Sequence, residues 1–413
     1  MRILYFSQYF PPEIGATQTR AYEMAQGLVR AGHQVTMIAE VPNHPSGIIP
    51  PYYQGKLYER AELDGIDVIR VWVKASPVKT FRSRMAFYLS YMIMAALAGL
   101  FLARGRYDLI YVTSPPLFVG GAALVVSYLR RMSLVFEVRD LWPESAVELG
   151  ELTSRRAIAL AGWLEEKCYQ RARRIVVVTQ GIYSRLLERG YPRQKLILIP
   201  NGANVELFQF QAEAGPALRE KLGLQHKFVV IYAGIHGIAQ GLEFVIEAAK
   251  ALTAYPDLHF LFVGEGPVKT QIVSLAATYN LTNVTFLAEL PREQMPNFLS
   301  AANVALVPLR RLELFKGALP SKMFDAWACR CPTLVMIDGE ARAVLEEAQA
   351  GVFVEPENVV ALTEAILALK RDPAACQQMG LNGQKIVTAH YSRQALAQKL
   401  VYLLESLLRT SED

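Results

Sequence analysis

Short aliphatic runs alternate with helix-length stretches along this chain, and the alternation restarts once, which leaves few folds open to it. In the first half the runs are Ile3 to Phe6, Val35 to Ala39, Val68 to Val73, Leu109 to Thr113, Leu134 to Val138 and Ile175 to Thr179. Runs that are apolar on both faces suit parallel strands covered by helices on either side. After Ile197 to Pro200 the cycle begins again at Phe228 to Ala233, His259 to Val263, Val284 to Leu287, Val304 to Val307, Thr333 to Ile337 and Val352 to Val354. The expected fold is therefore α/β, with two doubly wound, Rossmann-like domains facing across a cleft. Asn201-Gly202 and the polar Gln209 to Gly215 segment lie at the restart, so the linker is expected between about residues 195 and 215. The predicted domains are residues 1–200 and 201–390, with a C-terminal helix in 391–413. A chain of 413 residues that is 52% hydrophobic is too long for one core and too apolar for disorder.

The net charge of +5 is unevenly divided. Residues 1–200 hold 25 Lys and Arg against 16 Asp and Glu, and residues 201–413 hold 18 against 22. The basic excess of the first half is spread over the pairs Arg82/Arg84, Arg104/Arg106, Arg130/Arg131, Arg155/Arg156 and Arg173/Arg174. An anionic membrane surface or a phosphorylated acceptor would account for them. Nucleic acid is not expected, because no recognition motif or stacking series accompanies the charge. Met85 to Ala103 is a 19-residue stretch without charge between two of these pairs, long enough to span a bilayer. It also lies between two strands of one predicted sheet, so a helix packed on that sheet, with lipid contact along it, is the favoured reading. Cys168, Cys329, Cys331 and Cys376 show no paired CxxC spacing and read as reduced structural cysteines of a cytoplasmic protein. Cys329 and Cys331 would point apart on one helix.

The richest local pattern is LFKGALPSKMFDAWACRCPTLV, Leu314 to Val335. A turn through Gly317, Ala318, Leu319 and Pro320 runs into a helix, so backbone N–H groups, the positive helix end and Lys322 can converge on one anion such as a diphosphate. Asp325 shares the helix face of Lys322 and can accept hydrogen bonds from sugar hydroxyls. A plain Pro-Ser helix start with exposed Lys and Asp fits the same residues. Glycines also follow strands: Gly234, Gly237 and Gly241 around IYAGIHGIAQG, Gly264 and Gly266 in VGEGP, and Gly15 in PPEIG. Such turns permit close backbone approach to a ligand, or simply end a strand. His44 and His236 lie in loops expected to face the cleft, where they can touch acceptor or donor, while His33, His226 and His390 share no spacing and read as structural. Trp142 reads as a core anchor or as a platform for a sugar.

Taken in order, the opening strand with PPEIG, AGHQV, RRIVVVTQGIYSRL, LIPNGANVELF, IYAGIHGIAQGLEFV, FLFVGEGP and PSKMFDAWACRCP resemble glycosyltransferase family 4 over almost the whole chain. FEVRDLWPES and the AQGL element resemble the branch that builds O-antigens, capsules and exopolysaccharides, near the N-acetyl-fucosamine transferases. The resemblance implies the GT-B fold, a nucleotide-sugar donor on the C-terminal domain, an acceptor on the N-terminal domain, no metal, and retention of anomeric configuration. It implies that the last helix crosses back to the first domain. By position, Gly15 would lie by the donor phosphate or sugar, Gly234, Gln240 and Gly241 would line the donor side, and Gly264 and Glu265 would lie near the nucleoside. Lys322 would neutralise the departing diphosphate, and Asp325 would hold the ribose in place of the second acid of the family's pair. Two positions depart from the pattern: Gly317 stands where the first acid belongs, and Arg139, followed by Asp140, stands where many members carry a His.

Chemistry alone supports part of this. Breaking a bond between a sugar and a nucleoside diphosphate develops negative charge on phosphate, which cations and backbone donors stabilise. Acceptor and leaving group can meet on one sugar face without a strong protein nucleophile, and no pair of carboxylates like that of retaining hydrolases is evident. Asp140 is the candidate to accept or orient the acceptor proton, with capping of the next turn as the alternative, and Glu137 or Arg139 as neighbours that alternate with it. The expected reaction is transfer from a UDP-sugar to a polyprenyl-diphosphate-linked or growing glycan acceptor, at the cytoplasmic face of the membrane. A nucleotide-sugar epimerase, which needs no acceptor, and a non-catalytic membrane-bound partner in polysaccharide assembly are the other classes. A dinucleotide oxidoreductase is disfavoured because SQYFPPEIG, not GxGxxG, follows the first strand.

Overall fold

A computed structural model describes residues 1–409 except 14, 45, 79, 149 and 151. Ile14 of the PPEIG turn and the last four residues of the predicted C-terminal helix lie outside the described residues. The chain divides into two compact units, Met1–Pro200 with Gln394–Asp413, and Asn201–Arg393.

The first unit is an eight-stranded sheet of β1 (Arg2–Phe6), β2 (Gln34–Glu40), β3 (Tyr58–Leu63), β4 (Ile66–Val71), β5 (Leu109–Ser114), β6 (Ser133–Val138), β7 (Arg174–Val177) and β8 (Leu196–Leu198). The strand order is β3-β4-β2-β1-β5-β6-β7-β8. The pairings are parallel except that of β3 with β4. β3 corrects the all-parallel expectation. Its sequence YERAEL is polar and mostly exposed at the sheet edge, so it has no aliphatic run to betray it, and the Asp64-Gly65 turn folds it back onto β4.

Alternation along the central strands separates two apolar layers. Ile3 and Tyr5 of β1 face the helix Ala16–Arg30 and the C-terminal helix Arg393–Arg409, through Met24, Leu28, Leu400 and Leu404. Leu4 and Phe6 face the opposite layer, built from the helices Phe81–Leu97, Phe118–Leu129 and Arg155–Arg171. The stretch expected at Met85 to Ala103 is thus one long helix that ends in a π turn, Ala98–Leu102. Its Tyr91 is buried and donates its hydroxyl to Ile38 O at 2.9 Å.

Glu137 on β6 is fully buried, and its place in the core removes it from the set of residues expected to point outward near Asp140. It accepts bonds from Arg20 at 2.9 and 3.1 Å, from Tyr111 Oη at 2.7 Å and from Thr113 Oγ1 at 2.6 Å. Burial pushes its carboxyl up, but Arg20 more than offsets this and leaves the group below the ordinary glutamate value. Arg20 also donates to Ile199 O and Pro200 O, both at 2.8 Å, and so ties the end of this unit to its first helix.

The second unit is a parallel sheet of β9 (Phe228–Ala233), β10 (Leu258–Val263), β11 (Val284–Leu287), β12 (Val304–Pro308), β13 (Thr333–Met336) and β14 (Gly351–Phe353), in the order β11-β10-β9-β12-β13-β14. Trp327 and Phe324 of the helix Ser321–Ala328 anchor one of its layers. The four cysteines are free and buried. Cys331 lies beyond that helix, which ends at Ala328, so Cys329 and Cys331 do not share a helix.

Candidate functional site

In the second unit β9 is the point where strand order reverses: it pairs with β10, which follows it in the chain, and with β12. Loops that leave the carboxyl ends of strands on either side of such a point diverge and make room for a ligand. Three of them are joined there. His236 N donates to Glu265 O at 2.8 Å, Val268 N to His236 O at 3.0 Å, and Arg310 N to Ala239 O at 2.8 Å. Arg310 further donates through Nε to Ile238 O at 2.7 Å and pairs with Glu243. That clamp fixes the short turn Ile238–Gln240 and Gly241, which has a left-handed φ of 56° and opens the helix Leu242–Ala251.

Two glycines are needed for this loop-on-loop packing. A Cβ on Gly264 would stand 2.0 Å from Gly234 O, and one on Gly266 would stand 2.4 Å from His236 O. Both positions have positive φ as well. Their lack of a side chain therefore serves the protein's own loop-on-loop packing. Gly234 differs, because a Cβ there would meet the end of a side chain, Lys322 Nζ, at 3.1 Å.

Lys322 stands in the first turn of the helix Ser321–Ala328, whose start at Pro320 has no side-chain cap. Its ammonium donates to Tyr232 Oη at 3.0 Å and lies 4.3 Å from the centre of that ring. Tyr232 donates in turn to Ile235 O at 2.6 Å. Burial lowers the Lys322 pKa to about 8, against an opposing pull from Asp325 one turn along. Lys269 is held differently: its Nζ bonds Gly264 O and Leu287 O at 2.9 Å each and pairs with Glu265. A cation resting on a neutral phenol, beside an uncapped helix start and glycine-rich loops, can be drawn onto an anion at little cost.

The structure thus brings Gly234, Gly264, Glu265, Lys322 and Asp325 together, with Gln240 and Gly241 on the clamped turn. Gly317 ends the short helix Glu313–Gly317, and Ala318 continues the chain in extended form. Leu319 buries its side chain in the core and leaves only its backbone at the turn, where its carbonyl accepts from Asn201 Nδ2 at 3.4 Å. His236 is a correction. The loop position suggested an accessible side chain, yet it is fully buried against Tyr232 and Phe262. Neither ring nitrogen has a partner among the described residues. Burial, with Lys269 next in effect, pushes its pKa down to about 4.

In the first unit the corresponding reversal is at β1, between β2 and β5. Gly15 starts the helix Ala16–Arg30 there, without a side-chain cap. Asp140, just beyond β6, is half-buried and accepts from Ser145 Oγ at 2.9 Å. Burial raises its pKa, opposed by Ser145 and by the Leu141 N–H. The Leu141 N–H bond matches the capping alternative, while the raised pKa makes the carboxylate a better proton acceptor than an ordinary aspartate. Trp142 packs edge-on to Phe118 as part of the core margin.

Two carboxyl groups at these strand ends were not singled out from sequence. Glu13 Oε1 accepts the backbone N–H of Asn43 at 2.6 Å and of His44 at 2.7 Å, holding the loop that carries exposed His44. Glu40 is buried and accepts from Gln8 Nε2 and Asn43 Nδ2, both at 2.8 Å. Burial raises both acids, Glu40 the more strongly, with Glu13 adding to it. Their sequence signal was weak, since PPEIG and the end of β2 each offer one acid with no visible partner.

Two family models meet near the division between the units: a glycosyl transferase 4-like domain matches residues 15–202, and a glycosyl transferases group 1 domain matches residues 216–386. The chain is a glycosyltransferase built from these two domains. A similar relative is a protein of Escherichia coli K12 named for colanic acid biosynthesis, glycosyl transferase WcaI, 26% identical over 89% of this chain and 91% of its own. Among solved structures, sucrose-phosphate synthase of Thermosynechococcus elongatus superposes with a TM-score of 0.74 at 22% identity, covering 99% of both chains. HepE of Anabaena, in complex with UDP-glucose, superposes with a TM-score of 0.73 at 16% identity over 98% of this glycosyltransferase and all of HepE. These likenesses establish the GT-B class of its two Rossmann-like domains.

Proposed function

We propose that this glycosyltransferase moves a sugar from a UDP-sugar, with retention of anomeric configuration, to a polyprenyl-diphosphate-linked or growing glycan acceptor in cell-surface polysaccharide biosynthesis. The observation that carries the reading is Lys322, resting on Tyr232 beside Gly234 and the uncapped helix start, at the switch point of the second sheet. On donor binding the ammonium leaves Tyr232 for the diphosphate at the uncapped start of the helix Ser321–Ala328, joined by the backbone N–H of Leu319, since that of Ala318 already donates to Phe315 O at 2.9 Å and that of Gly317 lies within the short helix Glu313–Gly317. Asp325 takes the ribose hydroxyls. In the first unit Gly15 lies by the donor phosphate or sugar, and Asp140 accepts or orients the acceptor proton. No metal is required, because Lys322 and the helix end supply the positive charge at the leaving group. Similarity to WcaI, named for colanic acid biosynthesis, and the UDP-glucose complex of HepE favour a UDP donor and an O-antigen, capsule or exopolysaccharide setting, with the enzyme peripheral on the cytoplasmic face of the membrane.

Calorimetry with UDP and UDP-sugars in the presence of a chelator, on the wild type and Lys322→Ala, tests the donor site. Saturable binding that weakens at least tenfold in the variant is expected, the scale of one charge-assisted hydrogen bond. Binding that is unchanged in Lys322→Ala removes the assignment. Product formed without any acceptor would replace transfer with epimerisation.

A further inference from the structure

We propose that the outer face of the three helices Phe81–Leu97, Phe118–Leu129 and Arg155–Arg171 is a docking surface for an anionic lipid bilayer, laid flat against the membrane. Leu89, Ile93, Leu97 and Phe101 recur every fourth residue and are 38%, 56%, 44% and 69% exposed. Four large apolar side chains at that spacing form one stripe along the first helix and its π turn. The second helix, packed beside the first, exposes Val125, Tyr128 and Leu129, and the third, packed beside the second, exposes Leu160 and Trp163. Apolar surface of this extent on one layer marks a contact with a partner.

Charge selects the partner. Arg82 is exposed at one end of the stripe, Arg104 and Arg106 at the other, and Arg155 and Arg156 at the start of the third helix. Residues 80–107 and 115–136 contain no Asp or Glu. An apolar stripe between arginines, with no acid on its first two helices, complements acyl chains beneath anionic headgroups.

The first helix is long and apolar enough to cross a bilayer, but its inner face is committed to the sheet. Tyr91, Ala95 and Ala98 are buried. A Cβ on Gly99 would stand 2.8 Å from Val126 and 2.9 Å from Phe6, and Arg130 donates to Gly99 O and Ala103 O at 2.9 Å each. Crossing the membrane would tear these contacts from the core, whereas lying flat uses only side chains already exposed. The inference rests on this surface alone and does not depend on the donor assignment.

Co-sedimentation of the full chain with vesicles of mixed phosphatidylglycerol and phosphatidylcholine, and with phosphatidylcholine alone, tests it at low salt. Binding to the mixed vesicles only is expected. Removing two charges in Arg104→Gln/Arg106→Gln should weaken it about 25-fold, at about fivefold per arginine. Ile93→Asp/Phe101→Asp should abolish it with an unchanged melting midpoint and unchanged UDP calorimetry. If that variant unfolds, the arginine pair decides. Wild type that ignores the mixed vesicles, arginine variants that bind like wild type, or a lipid-free dimer that the aspartate variant dissociates would each overturn the proposal, the last by making the face an interface between copies.

Discussion

Titration of Lys322 gives the site a quantitative signature. Burial leaves its pKa at about 8, so in the free protein the ammonium is about 90% charged at pH 7 and about 10% charged at pH 9. If the charged form is the one that binds diphosphate, the apparent Kd rises as the competent fraction falls, about tenfold between those pH values. The sign is fixed: affinity is fully present below pH 8 and is lost as pH rises through it. The assay is UDP calorimetry at pH 7, 8 and 9 on wild type, Lys322→Ala and Lys322→Arg. Titration of the uracil ring is common to all three proteins and cancels in the comparison. Lys322→Ala should bind weakly with no further loss toward pH 9, and Lys322→Arg, charged throughout, should be flat with pH. A wild-type affinity constant from pH 7 to 9, or the same tenfold loss in Lys322→Ala, refutes the placement of this ammonium on the phosphate.

Replacing Glu137 with Leu strands the Arg20 guanidinium in the core of the first unit, and urea unfolding should register a loss of about 3–5 kcal/mol; a loss below about 1 kcal/mol would mean water or another group compensates. Gly264→Ala drives a methyl group against Gly234 O and should abolish UDP binding in calorimetry, whereas Gly162→Ala, in a helix with open space around it, should raise stability by about 0.5–1 kcal/mol. Glu40 is raised in the folded state, so the native protein holds its proton at pH values where the unfolded chain has released it, and stability falls as pH rises above the ordinary glutamate value. Glu40→Gln should flatten that slope in thermal melts, and an unchanged slope would assign the pH dependence to other groups.

The alternation of aliphatic runs and helices was sufficient for the sequence to determine two parallel-sheet α/β units and the break near Pro200, because a strand buried on both faces must be apolar at every position. β3 escaped that logic, since a polar strand at a sheet edge owes its place to a tight turn and a neighbour, neither of which leaves an aliphatic run. The turn before Ser321 and the presence of Lys322 were equally legible, being local in the chain. What only the tertiary structure decided is where non-local groups meet. Tyr232 read as one more core residue of β9, yet its hydroxyl receives Lys322 across 90 positions of sequence. Gly264 and Gly266 read as strand-end turns, and only the folded chain shows that the loop after β9 packs where their side chains would stand. His236 read as a loop side chain and is sealed beneath that same packing. Periodicity reports which face of an element is buried. Only the folded chain decides which distant atoms share that burial, and with it the pKa of Lys322.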